Sequence, residues 1–420
     1  MNTLHVAVLV LAQINVGSDG SDGAFAFTPD QAGGAIMTID LTLAAPASWT
    51  TPSPVAGRGV YDADEWAVVF KYTNVTVPAG KTVRFANHPT RAPVVWLSQG
   101  DVVVDGEVDL DGASGHDWDE IPGWTEPGPG GFRGGRGWSK QSAIKGSAGF
   151  GPGGGPVAGK PGSPAGYAID GWTPIPGFPV GKSYGNEQLT QLLGGSGGGT
   201  GEGDESGRPG CGAGGGAILI AADTTVRVSG SVHADGGTRG AVVHHAENGG
   251  PGSGGAVRLV ADEVELVDSA LVRCLGKSTD GLAFASHGRI RIEANVHVFG
   301  VLTDPVPSVG LPAPVFSPTK GTVRIASVDG VPAPADPESN FIGFFADVTI
   351  TDPGTKSVTI LGEGIPDQTP VELRVTDTLG DVTVYPATLA ATGQPGETSA
   401  TIQAVFPATV TVLQARAVLP

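Results

Sequence analysis

GGGAILIAADTTVRVSGSVHADGG, residues 214–237, decides the fold. Ile218 and Ile220, then Val226 and Val228, form two apolar-x-apolar pairs, the signature of short strands with one dry face. Two later stretches repeat it. GSGGAVRLVADEVELVDSALVRCLG (252–276) places Val257, Leu259, Val264 and Leu266 at matching positions, and SHGRIRIEANVHVFGVL (286–302) places Ile290, Ile292, Val296 and Val298 there. The earlier APVVWLSQGDVVVDGEVDLDG (92–112) aligns with the first copy at an offset of 124, so Val102, Val104 and Val108 meet Val226, Val228 and Val232. Asp109 then falls level with His233, and Asp111 with Asp235. The later copies are spaced by 39 and then about 33 residues. Near-repeats of this kind predict stacked units that bury their apolar faces against one another. The expected architecture is all-β: a right-handed parallel β-helix over residues 67–303, with glycine corners.

Composition supports a turn-rich β chain. Of 420 residues, 68 are Gly and 34 are Pro, yet 40% are hydrophobic. Gly and Pro are the poorest helix formers, and the glycines keep no collagen-like period of three. From Gly123 to Gly216, 33 of 94 residues are glycine, within an insertion spanning 112–214. Its aromatics, among them Trp124, Trp138 and Trp172, predict a stretch anchored over the helix, with polyglycine-II-like strands as one way to build it. Residues 1–66 read as an N-terminal strand and cap region. Residues 304–320 (DPVPSVGLPAPVFSPTK with Gly321 following) read as a stiff Pro-rich linker. Residues 321–420 carry six or seven short strands, the pattern of an antiparallel β-sandwich.

The formal net charge is −18, which repels polyanions and sets nucleic acid aside as a partner. No apolar run reaches the length of a membrane-spanning helix. His5 to Ala12 suits a short signal segment with Val10-x-Ala12 at its cleavage site, and equally a first β-strand. Cys211 and Cys274 allow one disulfide or two free buried thiols.

The VTVPAGKTVRF stretch, the GGGAILIAA, GSGGAVRLVA and HGRIRIEA series and the closing sandwich pattern resemble glycine-rich bacterial surface proteins. These are of the pectate-lyase-like parallel β-helix type with a C-terminal immunoglobulin-like domain. The resemblance covers roughly residues 66–420 and is architectural. It implies a secreted or cell-surface location and a class that includes structural proteins, adhesins and polysaccharide lyases; it transfers no catalytic motif.

Several clusters could carry chemistry. Asp101, Asp105, Glu107, Asp109 and Asp111 alternate with apolar residues, which predicts one outward row on one strand. Such a row suits either a solvated face, calcium ligation, or an acid–base pair for sugar hydrolysis. Under the enzyme alternative the candidates are Asp109, Asp111 and His233. For calcium, the one cofactor considered, they are Asp105, Asp109 and Asp111, with Asp19 and Asp22 in GSDGSDG, where Asx-turns compete. HDWDE (116–120) could grip a sugar or a metal, and the exposed-aromatic candidates Trp118, Trp124 and Trp138 could contact a sugar. His244, His245 and Glu247 offer too few zinc ligands. Arg227, Arg258, Arg289 and Arg291 read as cross-strand ion-pair partners, Arg227 with Glu265 and Arg291 with Glu293. Neither a phosphate-binding loop nor a nucleophile elbow occurs, which weighs against an enzyme. The expected function is an extracellular or cell-surface structural protein, with self-assembly as one mode of action. A polysaccharide-binding adhesin or a β-helix lyase or hydrolase is the alternative. The partners in these readings are the chain itself or a cell-surface polysaccharide.

Overall fold

Parallel pairing of the near-repeats organises residues 36–310. The computed structural model describes residues 14–116, 123–137, 146–158, 162–201, 210–240, 249–279, 281–301, 303–316, 321–334, 337, 346–377, 382–408 and 410–417. These residues are all-β, with several sheets, one 3-10 turn at Leu41–Leu43, and no helix long and apolar enough to cross a membrane.

Three columns of apolar side chains run across the parallel ladders. Val68, Val94, Ile218, Val257 and Ile290 are successive partners in one. Val75, Val102, Val226 and Val264 are partners in the second, and Met37, Val83, Val108, Val232 and Val272 in the third. All three columns meet in one core, and each buried Val or Ile stabilises it by roughly 2 kcal/mol. The outer face of Ala67–Tyr72, Val94–Ser98 and Ala217–Ala222 is covered as well, by Ile14, Val16, Trp49, Val315 and Phe316. Burial on both faces suits a parallel sheet and explains the continuous apolar runs AVVF and AILIAA.

Three expectations change. First, the ladders begin at Ile36–Asp40, which pairs with Thr82–Ala86, rather than at residue 67. Second, Val296 and Val298 do not join the core. Arg289–Phe299 keeps a single register in which Glu263 meets Val296 and Val264 meets His297. The second apolar pair comes one residue early in this copy, so a strand of period two turns it outward, and Val296 and Val298 are exposed. Third, the Pro-rich stretch is not a free linker. Ser308–Gly310 pairs with Arg291–Glu293, and the carbonyls of Pro314 and Val315 accept from the buried Arg258 guanidinium (3.1 and 3.0 Å). Arg258 also donates to the buried Glu293 carboxylate (2.9 Å), which accepts from Arg291 and from the Ala313 amide.

The glycine-rich stretches form a second kind of order. Residues 195–200 exchange backbone hydrogen bonds with five neighbouring stretches: 132–135, 147–158, Ser163, 212–215 and 250–253. A β-strand has two neighbours. A backbone with three residues per turn points its N–H and C=O groups in three directions, so it can bond more. This is the bonding pattern of polyglycine II. It requires that no side chain stand between chains: a Cβ at Gly198 would overlap the Gly250 carbonyl. The lattice also recruits residues 234–240, 249–255, 274–277 and 284–288, and so extends beyond the 112–214 insertion.

The C-terminal region packs two antiparallel sheets on a shared core. One contains Thr322–Val328, Gly354–Glu363 and Glu397–Phe406, and the other Val382–Thr388, Pro370–Asp377 and Thr411–Ala417.

Substituting Gly198→Ala is expected to lower stability by about 3 kcal/mol, because the neighbouring backbone must move. Gly300→Ala, where the nearest atom lies at ordinary contact distance, is expected to change it by less than about 0.5 kcal/mol. Urea denaturation midpoints of the two variants check this.

Candidate functional site

The carboxylate row does not lie on one strand. Val102–Val104 and Glu107–Asp109 belong to different sheets, and the chain turns between them at Gly106, where a Cβ would meet the carbonyls of Pro78 and Lys81. The turn divides the acids. Asp101 accepts from the Thr224 hydroxyl (2.6 Å), and Asp105 accepts from Ser229 (2.5 Å) and Arg227 (3.3 Å). Arg227 also pairs with Glu265 and Asp268.

Beyond the turn, Glu107, Asp109 and Asp111 converge on His233. The parallel register sets Asp109 beside His233, and Glu107 and Asp111 flank it. The ring Nε2 lies 2.7 Å from Glu107 Oε1, and Nδ1 lies 2.9 Å from Asp111 Oδ1 and 3.7 Å from Asp109 Oδ1. Asp109 also pairs with Arg84, Glu107 accepts from the Thr82 hydroxyl, and Asp111 accepts from the Asp235 amide. The fully buried Asp235 carries the network to the next pass through ion pairs with Arg273 (3.0 Å) and Lys277 (2.9 Å). Asp109, Asp111 and His233 are thus brought together as the sequence expected, and they form the one group of metal-capable side chains at ligand spacing among the described residues. The roles of Glu107, Thr82 and Arg84 were missed. Thr82 and Arg84 lie on an earlier pass whose spacing does not match the later repeats.

The electrostatics make His233 a cation. Burial opposes its charge, but the hydrogen bonds and charges of Asp111, Glu107 and Asp109 outweigh it and push the pKa up to about 9. Glu107 is held below the usual carboxylate range by the Thr82 and His233 hydrogen bonds. Burial acts to raise Asp111, yet the His233 hydrogen bond and charge and the Asp235 amide hold it down. An imidazolium with both nitrogens engaged has no lone pair for base catalysis or metal ligation. A sugar-hydrolysing pair needs a carboxyl held protonated near neutrality, and both Glu107 and Asp111 are shifted the other way. What the cluster does is bind three passes of the chain through charge-assisted hydrogen bonds.

The other candidates are mostly engaged too. Asp22 is buried, and its oxygens accept from the Gly57, Gly59 and Lys71 amides and the Ser53 hydroxyl (2.7–3.0 Å), which leaves none for calcium. Asp19 closes an Asx-turn onto Ser21 and pairs with the buried Lys71 ammonium (3.4 Å). Trp124 is an interior anchor, edge-on to Phe150 at 5.0 Å with the Arg136 guanidinium over its face. Trp118, Trp138, Asp117 to Glu120, His244, His245 and Glu247 lie outside the described residues. Arg289 stacks on Tyr167 and donates to the Ala168 and Tyr184 carbonyls. Cys211 and Cys274 are buried free thiols, and burial raises the Cys211 pKa to about 11. Beside the cluster runs an open groove of about 490 Å³, lined among others by Lys81, Asp105, Glu107 and Ser231.

Because the His233 pKa is higher in the fold than the ordinary value near 6.5, its contribution is complete below about pH 6.5 and is lost as pH rises through about 9. That difference corresponds to about 3 kcal/mol. Urea midpoints of the wild-type protein are expected to fall between pH 6.5 and 9.5, whereas His233→Gln is expected to start lower and lack that slope. Parallel slopes would contradict the assignment.

Comparison with models of protein families, with curated proteins and with solved structures finds no match for this chain.

Proposed function

We propose that this chain is an extracellular or cell-surface structural protein, a rigid scaffold rather than an enzyme. The observation that carries this reading is the His233 cluster. The most catalytic-looking constellation in the sequence is held by hydrogen bonds and ion pairs to Thr82, Arg84 and Asp235. Its histidine is protonated at neutral pH.

The ladders support the finer architectural reading, in which residues 36–310 wind as a right-handed parallel β-helix and the closing sandwich is immunoglobulin-like. Five strands lie in register in one sheet, and the second and third columns repeat the same order of passes. That arrangement supplies stiffness: to bend it, hydrogen bonds in both sheets must lengthen together. Secretion accords with an acidic, glycine-rich chain whose two thiols are buried and inert.

Two edges of the first sheet argue for a scaffold that stays monomeric. At one end, Ala45–Pro46 closes the first sheet, and at the other the three-residue Ser308–Gly310 strand lies among Pro305, Pro307 and Pro312. Short strands beside proline are poor templates for edge-to-edge pairing. Exposed Val296, Val298 and Phe299 at the last pass are the contact that self-assembly would use.

Sedimentation velocity and negative-stain microscopy, with calcium and then with chelator, test this reading. Elongated monomers in both conditions are expected, with a melting temperature that changes by less than about 2 °C on chelation. Filaments would overturn the monomeric scaffold. Depolymerisation of a polysaccharide that Asp111→Asn abolishes would overturn the non-enzymatic reading.

A further inference from the structure

Aromatic side chains in the glycine-rich region mostly point inward, as Trp124, Phe150 and Tyr167 do. Trp172 is different. It is 54% exposed, and its ring centroid lies 5.3 Å from that of Phe284, itself 39% exposed, with the planes at 55°. The two residues lie far apart in the chain but are fixed to each other by reciprocal backbone bonds. The Trp172 amide donates to the Phe284 carbonyl (2.9 Å), and the Phe284 amide to the Trp172 carbonyl (2.8 Å). Gly171 is bonded to Gly181 on the other side (2.9 Å). Ile169 and Ile175, three residues before and after Trp172, are also exposed, at 64% and 40%.

Leaving such a pair in water opposes the hydrophobic effect, and an exposed aromatic pair on a hydrogen-bonded backbone marks a contact surface. Its rim identifies the partner's chemistry. Asp170, two residues before Trp172, pairs with Lys182 at 2.9 Å; both are substantially exposed, and Asp170 also accepts from the Ser183 amide. The pair is neutral as a unit and offers both donors and acceptors. The whole chain carries −18, which repels a second copy, a polyanion or an anionic membrane alike. A partner with flat C–H faces, a rim of hydroxyls and no charge fits all three features.

We propose that Trp172 and Phe284 form a stacking platform for a neutral pyranose polysaccharide, with Asp170 and Lys182 hydrogen-bonding its hydroxyls. The proposal rests on the scaffold reading and names its partner class. Backbone bonds already hold the two residues side by side, so little backbone ordering is needed on binding.

The test is affinity electrophoresis of the full chain through native gels cast with hydroxyethyl cellulose, mixed-linkage β-glucan or soluble starch, with alginate as the polyanionic control. Retardation by at least one neutral polymer and none by alginate is expected. Trp172→Ala and Phe284→Ala are each expected to weaken retardation about tenfold, and Trp172→Phe to retain most of it. Melting curves establish that each variant is folded, and either alanine variant suffices. Three results would each overturn the proposal: no retardation by any of the three neutral polymers, retardation unaffected by both alanine variants, or an oligomer of the wild-type chain that Trp172→Ala converts to monomers. The first leaves the scaffold reading standing, because that reading is decided by particle shape and the absence of cleavage.

Discussion

Close approach of backbone to backbone is the constraint on which the rest of this structure depends. Residues 195–200 bond to five neighbouring stretches, which is possible only if side chains are absent between them. A Cβ at Gly149, Gly198 or Gly214 would strike a neighbouring carbonyl. Glycine is therefore retained at an entropic cost that would destabilise an ordinary helix or strand, and the hydrogen bonds it permits offset that cost. The same segments continue directly into apolar strands. Gly214 to Gly216 lead into Ala217–Ala222, and Gly254 and Gly255 into Ala256–Leu266. The glycine lattice thereby aligns the passes whose valines and isoleucines fill the core.

Charge reinforces this alignment. A one-residue slip of any pass would part His233 from Asp109 and Asp111, and Arg227 from Glu265. An unpartnered buried imidazolium is far more costly than a paired one. The acids of the 101–111 row thus act on register, which apolar columns of similar valines specify less sharply. Neutralising the row would leave a core but weaken the choice among its registers.

Much of this was legible in the sequence, for a definite reason. Strand periodicity exposes Val102, Val104 and Val108 as core, and the offset of 124 pairs Asp109 with His233 because no register shift intervenes between these copies. The same method fails at Val296, where the apolar pair slips by one residue while the backbone register does not. It fails at Gly106, since a corner between two sheets looks like continuous alternation. It also took Trp124 for an exposed aromatic, whereas Trp124 is interior and Trp172 is exposed. Trp124 and Trp172 lie in similar glycine-rich contexts, and only the packing of Phe150 over one and the exposed pairing of Phe284 with the other separates them.

Hydrogen–deuterium exchange over residues 195–200 and 210–216 tests the glycine lattice most directly, because these residues belong to no helix or strand ladder. Protection comparable to that of the adjoining strand Ala217–Ala222 is the expected result, since their amides are bonded to neighbouring carbonyls, or at Ser196 to the Ser253 hydroxyl. Exchange at the rate of a free glycine-rich peptide, while Ala217–Ala222 stays protected, would contradict it.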